Sequence, residues 1–321
     1  MDKTKPTILF IIGPTASGKT ALSLDVAEHM NCEIISADSI QVYRKLDIGS
    51  AKPSLIETKR VKHYMIDETD IDDRGFTVAE YAHRALNYAD LITNSGKTPL
   101  VVGGTGLYVN SLTYPLNFSS AKPDFELREK LASEELESPG ILHKKLSEID
   151  SITAQRLHPN DTKRLVRALE VYYTTGCTMS DHGNDFINAK NAECACVPIM
   201  AGLTMPRKVL YERINLRVDD MLSHGLLAEV ESIVKQGYDR TLPALQGLGY
   251  KQLIAYLNGE CSYDAAVEEI KRDTRRFAKR QITWFKRDER IRWFDVSQIF
   301  GQALTDEVVK YFSQGMGDKT I

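Results

Sequence analysis

The segment Gly13-Pro14-Thr15-Ala16-Ser17-Gly18-Lys19-Thr20 narrows the possible fold more than any other stretch of the chain. It satisfies G-x-x-x-x-G-K-[ST], and it stands between an apolar run, Thr7 to Ile12, and a stretch where Leu22, Val26 and Met30 recur at helical spacing. A strand that feeds a helix through so tight a turn leaves the loop N–H groups and the helix N-terminus facing an anion. The expectation is a cradle for a diphosphate or triphosphate running from Gly13 to Thr20, with Lys19 neutralising the oxygens and the Thr20 hydroxyl reaching Mg²⁺. The loop alone leaves open whether those phosphates belong to a nucleotide such as ATP.

Glu33 to Ala37 reads as a second strand, ending at Asp38, and Pro99 to Val102 as a third, ending at Gly103-Gly104-Thr105-Gly106, with a helix over Val78 to Asn94 between them. This alternation implies an α/β core with a mostly parallel sheet, helices on both faces, and a ligand site at the carboxyl ends of the strands. Asp38 and Thr105 fall there. Asp38 can serve as the base for an acceptor hydroxyl in a kinase or for an amine in a prenyl transferase, or simply cap the following turn. From about Tyr114 the pattern changes to helices over Phe125 to Ser133, Ile141 to Glu148 and Asp161 to Thr175, separated by Pro115, Pro123, Pro139 and Pro159. The expected organisation is a core of residues 1–113 and 195–321 interrupted by an all-helical insertion over 114–194. Cys196 to Leu203 restores a strand pattern, and from Arg207 onward the chain reads as helical to its end.

Five cysteines with no C-x-x-C pair fit a reducing compartment, and Cys194 and Cys196 read as packing residues, so no zinc is expected. Met1 to Pro6 leads into the apolar run, which Gly13-Pro14 ends short of signal-peptide length, and no stretch has the twenty apolar residues of a membrane helix. A cytoplasmic monomer with no membrane contact is expected. The net charge of −3 excludes a uniformly basic nucleic-acid coat but not a local one. Ten basic residues between Lys271 and Arg292 face only three acidic ones, Asp273, Asp288 and Glu289. At helical spacing Arg272, Arg276, Lys279 and Arg280 share a side, while Ile270, Phe277 and Trp284 form a stripe that reads as core.

Seven motifs together carry a family resemblance: GPTASGKT (13–20), DSIQVYRKLDIGSAKP (38–53), FTVAEY (76–81), GGTGLYV (103–109), HPNDTKRLVRALEVYYTTG (158–176), QGLGYKQ (246–252) and TRRFAKRQITWFKR (274–287). In order and spacing the chain resembles the tRNA dimethylallyltransferases from about residue 6 to residue 294. The resemblance implies a P-loop-kinase-like core whose loop holds the diphosphate of dimethylallyl diphosphate with Mg²⁺. It implies transfer of the dimethylallyl group to N6 of the adenosine just 3′ of the anticodon, in tRNAs reading codons that begin with U. On these residues it implies catalytic roles for Thr20, for Asp38 at the adenine amine and for Arg217 at the diphosphate. It further implies contacts with the tRNA anticodon stem-loop from Asp38, Ser39, Ile40, Gln41, Thr105, Arg128, Lys163, Arg164, Arg167, Gly249, Lys251, Lys279 and Arg280. His63 stands where the family often has paired histidines and is given a packing role.

Three other readings share parts of this pattern: a phosphotransferase using ATP, a prenyl transferase acting on free adenylate, and an RNA-binding protein on a degenerate phosphate-loop scaffold. The basic C-terminal stretch and the large insertion favour a macromolecular acceptor. Lys19, Thr20 and Asp38 occurring together favour an enzyme.

Overall fold

The computed structural model describes residues 5–115, 123–181 and 194–317; Met1 to Thr4 of the N-terminal reading and residues 182–193 of the insertion lie outside them. The chain divides into two compact units, one of residues 1–113 with 194–321 and one of residues 114–193.

In the larger unit six strands form one parallel sheet: β1 (Thr7–Ile12), β2 (Cys32–Ala37), β3 (His63–Tyr64), β4 (Thr98–Gly103), β5 (Val197–Thr204) and β6 (Ile291–Asp295), in the order β3-β2-β4-β1-β5-β6. β1 and β2 are buried almost throughout, because helices cover both faces of a parallel sheet; the two polar residues of β2, Glu33 and Ser36, are hydrogen-bonded, Glu33 to Tyr64 and Lys97 and Ser36 to Gln41. The register aligns Ile12 with Gly103 on one side and Gly202 on the other, and Ala37 with Gly103, so β1, β2, β4 and β5 end at one rim.

Helix α1 (Lys19–His29) follows the phosphate loop and packs against β1, β2 and β4. α2 (Leu55–Arg60) is closed by a Ser54–Glu57 capping box. α3 (Val78–Asn94) starts where Thr77 caps Glu80 N–H, and Tyr81, 0% exposed, donates from its hydroxyl to Ser36 O at 3.1 Å. Its ring stacks on Tyr108 of α4 (Gly106–Thr113) at 3.8 Å, so the FTVAEY and GGTGLYV motifs meet in the core beneath β2.

The smaller unit consists of α5 (Phe125–Glu137), α6 (Ile141–Ile149), α7 (Ser151–Arg156) and α8 (Thr162–Thr175) around Leu131, Leu142, Leu146, Leu165 and Leu169. α7 is absent from the sequence expectation; Asp150 starts it by accepting from Thr153 N–H at 3.0 Å. Asp161, expected as the first residue of α8, is its cap.

The larger unit resumes with β5, then α9 (Arg207–Ser223), α10 (Leu226–Lys235), a 3-10 turn at Pro243–Gln246, α11 (Tyr250–Leu257), α12 (Tyr263–Phe285), β6 and α13 (Gln302–Met316). The expectation of unbroken helix after Arg207 is corrected here. α12 stops at Phe285, and β6 pairs with β5 from Met200↔Ile291 to Thr204↔Asp295. The basic flanks of Ile291-Arg292-Trp293-Phe294 hid a short edge strand whose Ile291 and Phe294 alone reach the core. Among the described residues no helix is long and apolar enough to cross a membrane.

Candidate active site

The loop after β1, the turn after β2 and the Gly104-Thr105 turn after β4 converge at the carboxyl rim of the sheet, as a parallel α/β core requires. Together with α9, α11 and α12 they enclose a cavity of about 530 Å³. Its polar lining includes Ser17, Lys19, Thr20, Asp38, Thr105 and Arg217; its apolar lining includes Ile40, Val218, Met221, Leu226, Ile270 and Phe277.

Gly18 caps α1 at φ +90°, a left-handed conformation that lets the loop turn into the helix. Lys19 donates from Nζ to Pro14 O at 2.7 Å across the loop. Burial lowers its pKa to about 7, Arg217 adds to the fall, and Asp38 opposes it. Burial also lowers the Arg217 pKa, with Asp38 and Asp220 pulling the other way. An anionic ligand beside Lys19 and Arg217 would favour the charged form of each against the effect of burial. Ser17 Oγ is buried with no hydrogen-bond partner among the described residues, an orphan that a phosphate oxygen satisfies. Thr20 is exposed on the first turn of α1 and lines the same cavity. This set fits a Mg²⁺ held by one hydroxyl, phosphate oxygens and water, and the described residues contain no cluster of three acidic, histidine or cysteine ligands for an all-protein cage.

Asp38 is fixed by its own turn, its Oδ1 accepting from Ile40 N–H at 2.8 Å and Gln41 N–H at 3.3 Å. Thr105 Oγ1 accepts from Ser39 N–H at 3.1 Å, tying the end of β4 to the same turn. Gln41 engages its whole amide in scaffolding: Oε1 accepts from Ser36 Oγ at 2.8 Å while Nε2 donates to Ser50 O and Ala51 O. Glu229 of α10 accepts from Ile48 N–H at 2.8 Å and from the N–H groups of Asp47 and Gly49, and Tyr250 donates to it at 2.7 Å. The DSIQVYRKLDIGSAKP motif is thus held by polar contacts from α10, which α11 braces through Tyr250.

α12 contributes differently from its sequence expectation. Ile270 is buried and Phe277 half-buried, and both line the cavity, so the stripe read as core is in part its wall. Of the basic residues, Lys271 pairs with Asp219, Arg272 and Arg276 with Asp273, and Arg275 donates to Asn215. Lys279 and Arg280 are exposed and have no acidic partner among the described residues; Arg280 also lines the cavity, above the Phe277 ring. Gly249 and Lys251 line it too, with Lys251 3.7 Å from Asp273.

In the smaller unit Lys163 and Arg164 are exposed on α8. Arg128 and Arg167 converge on Glu170, whose side chain is 0% exposed, and these contacts hold its carboxyl below its ordinary range against the effect of burial. Arg128 and Arg167, two of the four arginines expected to contact tRNA, therefore have a structural duty the sequence did not reveal.

Gln281 is the residue sequence reasoning missed. Buried on α12, it accepts from Thr15 N–H at 2.9 Å and donates to Gly104 O at 3.0 Å. Its only sequence signal is an amide at the helical face shared with Thr274 and Phe277.

A parallel sheet with a glycine-rich loop opening a helix, and a carboxylate and arginine gathered beside that loop, defines a phosphate-loop transferase core. The chain belongs to the IPP transferase family: the family model matches residues 41–288, and full-length relatives extend the match across the phosphate loop and Asp38. It is 48% identical to a tRNA dimethylallyltransferase of Acetivibrio thermocellus over 97% of this chain and 98% of the relative. A tRNA dimethylallyltransferase of Clostridioides difficile is 44% identical over 97% and 99%. Among solved structures, the tRNA isopentenylpyrophosphate transferase of Bacillus halodurans superposes with a TM-score of 0.73 at 36% identity, covering 98% of each chain. A eukaryotic dimethylallyltransferase acting on tRNA superposes with a TM-score of 0.82 at 26% identity, covering 98% of this chain and 81% of that one.

Proposed function

We propose that the chain, as a cytoplasmic monomer, transfers the dimethylallyl group of dimethylallyl diphosphate to N6 of the adenosine just 3′ of the anticodon, in tRNAs reading codons that begin with U. The observation that carries this reading is a cavity lined both by Lys19, Arg217 and the phosphate loop and by the apolar side chains of Val218, Met221, Leu226 and Phe277. A diphosphate suits the first set of groups and a five-carbon apolar tail the second.

The chemistry distributes over named groups. The allylic C–O bond breaks, and its electron pair leaves with the diphosphate, where Lys19, Arg217 and the N–H groups of the loop offset the growing negative charge. Thr20 would help to hold a Mg²⁺ ion there, which would supply further positive charge to the leaving diphosphate. The N6 lone pair forms the new C–N bond at the allyl carbon, and Asp38 accepts the proton that the amine loses. The Asp38 turn keeps the carboxylate aimed while the adenine, extruded from its stack at a cost of a few kcal/mol, enters beside Thr105. Ser39, Ile40, Gln41, Gly249, Lys251, Lys279 and Arg280 frame the anticodon stem-loop on the larger unit, and Arg128, Lys163, Arg164 and Arg167 supply contacts on the smaller one.

Incubation with Mg²⁺, labelled dimethylallyl diphosphate and an anticodon stem-loop should place label in the RNA. ATP turnover with no label transfer would overturn the reading.

A further inference from the structure

Gln281 joins three elements that the reaction must keep in register. Its Oε1 accepts from Thr15 N–H in the phosphate loop, at 2.9 Å, and its Nε2 donates to Gly104 O at the end of β4, at 3.0 Å. The residue is 7% exposed, with its bond to Gly104 O buried and its bond to Thr15 N–H partly buried, so losing the side chain leaves a buried acceptor without its donor. The approach is tight: a Cβ on Gly104 would lie 2.2 Å from Gln281 Nε2. From Gly104 the contacts continue outward. Thr105 Oγ1 receives Ser39 N–H at 3.1 Å, and Ser39 adjoins Asp38, whose carboxylate is fixed by Ile40 N–H at 2.8 Å. Gln281 also shares its helix with Lys279 and Arg280, and its helical face with cavity-lining Thr274 and Phe277.

We infer that Gln281 is a positioning residue, a clasp that sets the separation between the diphosphate cradle and the Asp38 turn and holds both to the basic helix. The inference rests on the prenyl-transfer reading for its consequences in turnover, but the clasp itself acts on diphosphate binding with or without an acceptor. Asparagine is one methylene too short to span both partners, and glutamate can accept from Thr15 N–H but cannot donate to Gly104 O. The amide of glutamine, which presents a donor and an acceptor at this reach, matches the N–H and C=O it finds. A shift of about 1 Å between cradle and base is enough to cost in-line transfer about 100-fold.

Three measurements on Gln281→Glu, Gln281→Ala and the wild type test this. Calorimetry with inorganic pyrophosphate and Mg²⁺ reports the cradle without chemistry, filter binding reports the anticodon stem-loop, and label transfer reports kcat and KM. In both variants pyrophosphate affinity and kcat/KM for the prenyl donor should each fall by about 10-fold or more, while stem-loop affinity stays within about two-fold. Gly104→Ala should weaken pyrophosphate binding in the wild type and have a smaller effect in the Gln281→Ala background, where the side chain it strikes is gone. Variants that remain folded by their thermal transition yet bind pyrophosphate as the wild type does would overturn the clasp. So would Gly104→Ala costs that add independently. A wild-type protein that binds pyrophosphate but moves no prenyl group would sink the transfer reading alone, leaving the clasp to be judged by the binding data.

Discussion

Lys19 shows how one side chain is set by conflicting neighbours. Burial and Arg217 bring its pKa to about 7, while Asp38 keeps it from falling further. In the unfolded chain the lysine keeps its ordinary high pKa, so between about pH 7 and that value the unfolded state holds a proton the fold has released. This group therefore adds stability as pH rises through that window. A diphosphate reverses the balance by favouring the ammonium. At pH 8 its binding should take up a proton that Lys19→Met does not, measured by calorimetry in two buffers of different ionisation enthalpy; equal proton uptake in both proteins would remove Lys19 from contact with the anion. Asp38 is anchored by the local N–H groups of Ile40 and Gln41. Asp38→Ala should lower kcat about 100-fold or more with stem-loop affinity near the wild-type value, measured by label transfer and filter binding. A loss confined to affinity would contradict its role at the amine.

At the scale of elements, α12 divides its duties by face. Ala278, Gln281 and Phe285 are buried, Thr274 and Phe277 line the cavity, and Lys279 and Arg280 face solvent. Lys271, Arg272 and Arg276 are committed to Asp219, Glu268, Glu269 and Asp273, so the charge excess counted from the sequence overstates what is available to phosphates. Lys279→Ala with Arg280→Ala should weaken stem-loop binding and reduce the slope of log affinity against log salt by about 1 to 2, read from binding isotherms at several salt concentrations. An unchanged slope would take this face off the RNA surface.

For the whole molecule, the described residues that line the cavity all belong to the larger unit, and that unit has its own core. The chain leaves and re-enters it at neighbouring points: Cys194 Sγ lies 3.0 Å from Thr113 O and Cys196 Sγ 3.3 Å from Leu112 O. Replacing residues 114–193 by a short glycine-serine linker should preserve a cooperative thermal transition and Mg²⁺-pyrophosphate affinity within a few-fold, while stem-loop affinity falls about 10-fold or more. Loss of pyrophosphate binding in a folded deletion protein would show that the insertion shapes the cradle. The two cysteines act here as packing groups near the junction. Burial raises the Cys196 pKa to about 12, which keeps the thiol protonated and unreactive.

Local signals in the chain were sufficient for the strand, loop and helix of the phosphate cradle, for the parallel sheet, and for Asp38 at a strand end, because each depends on periodicity and turn chemistry within about 20 residues. Long-range partners decided the rest. Gln281 meets Thr15 across 266 positions, Glu229 meets Ile48 across 181, and Arg128 meets Glu170 across 42, separations at which no sequence period survives. β6 is likewise a strand because β5 offers an unpaired edge to an otherwise ambiguous five-residue segment. Sequence alone determined which chemistry the chain carries at each strand end; only tertiary packing decided which polar side chains face the cavity and which are consumed in building it, since that depends on where hydrogen-bond partners lie in space.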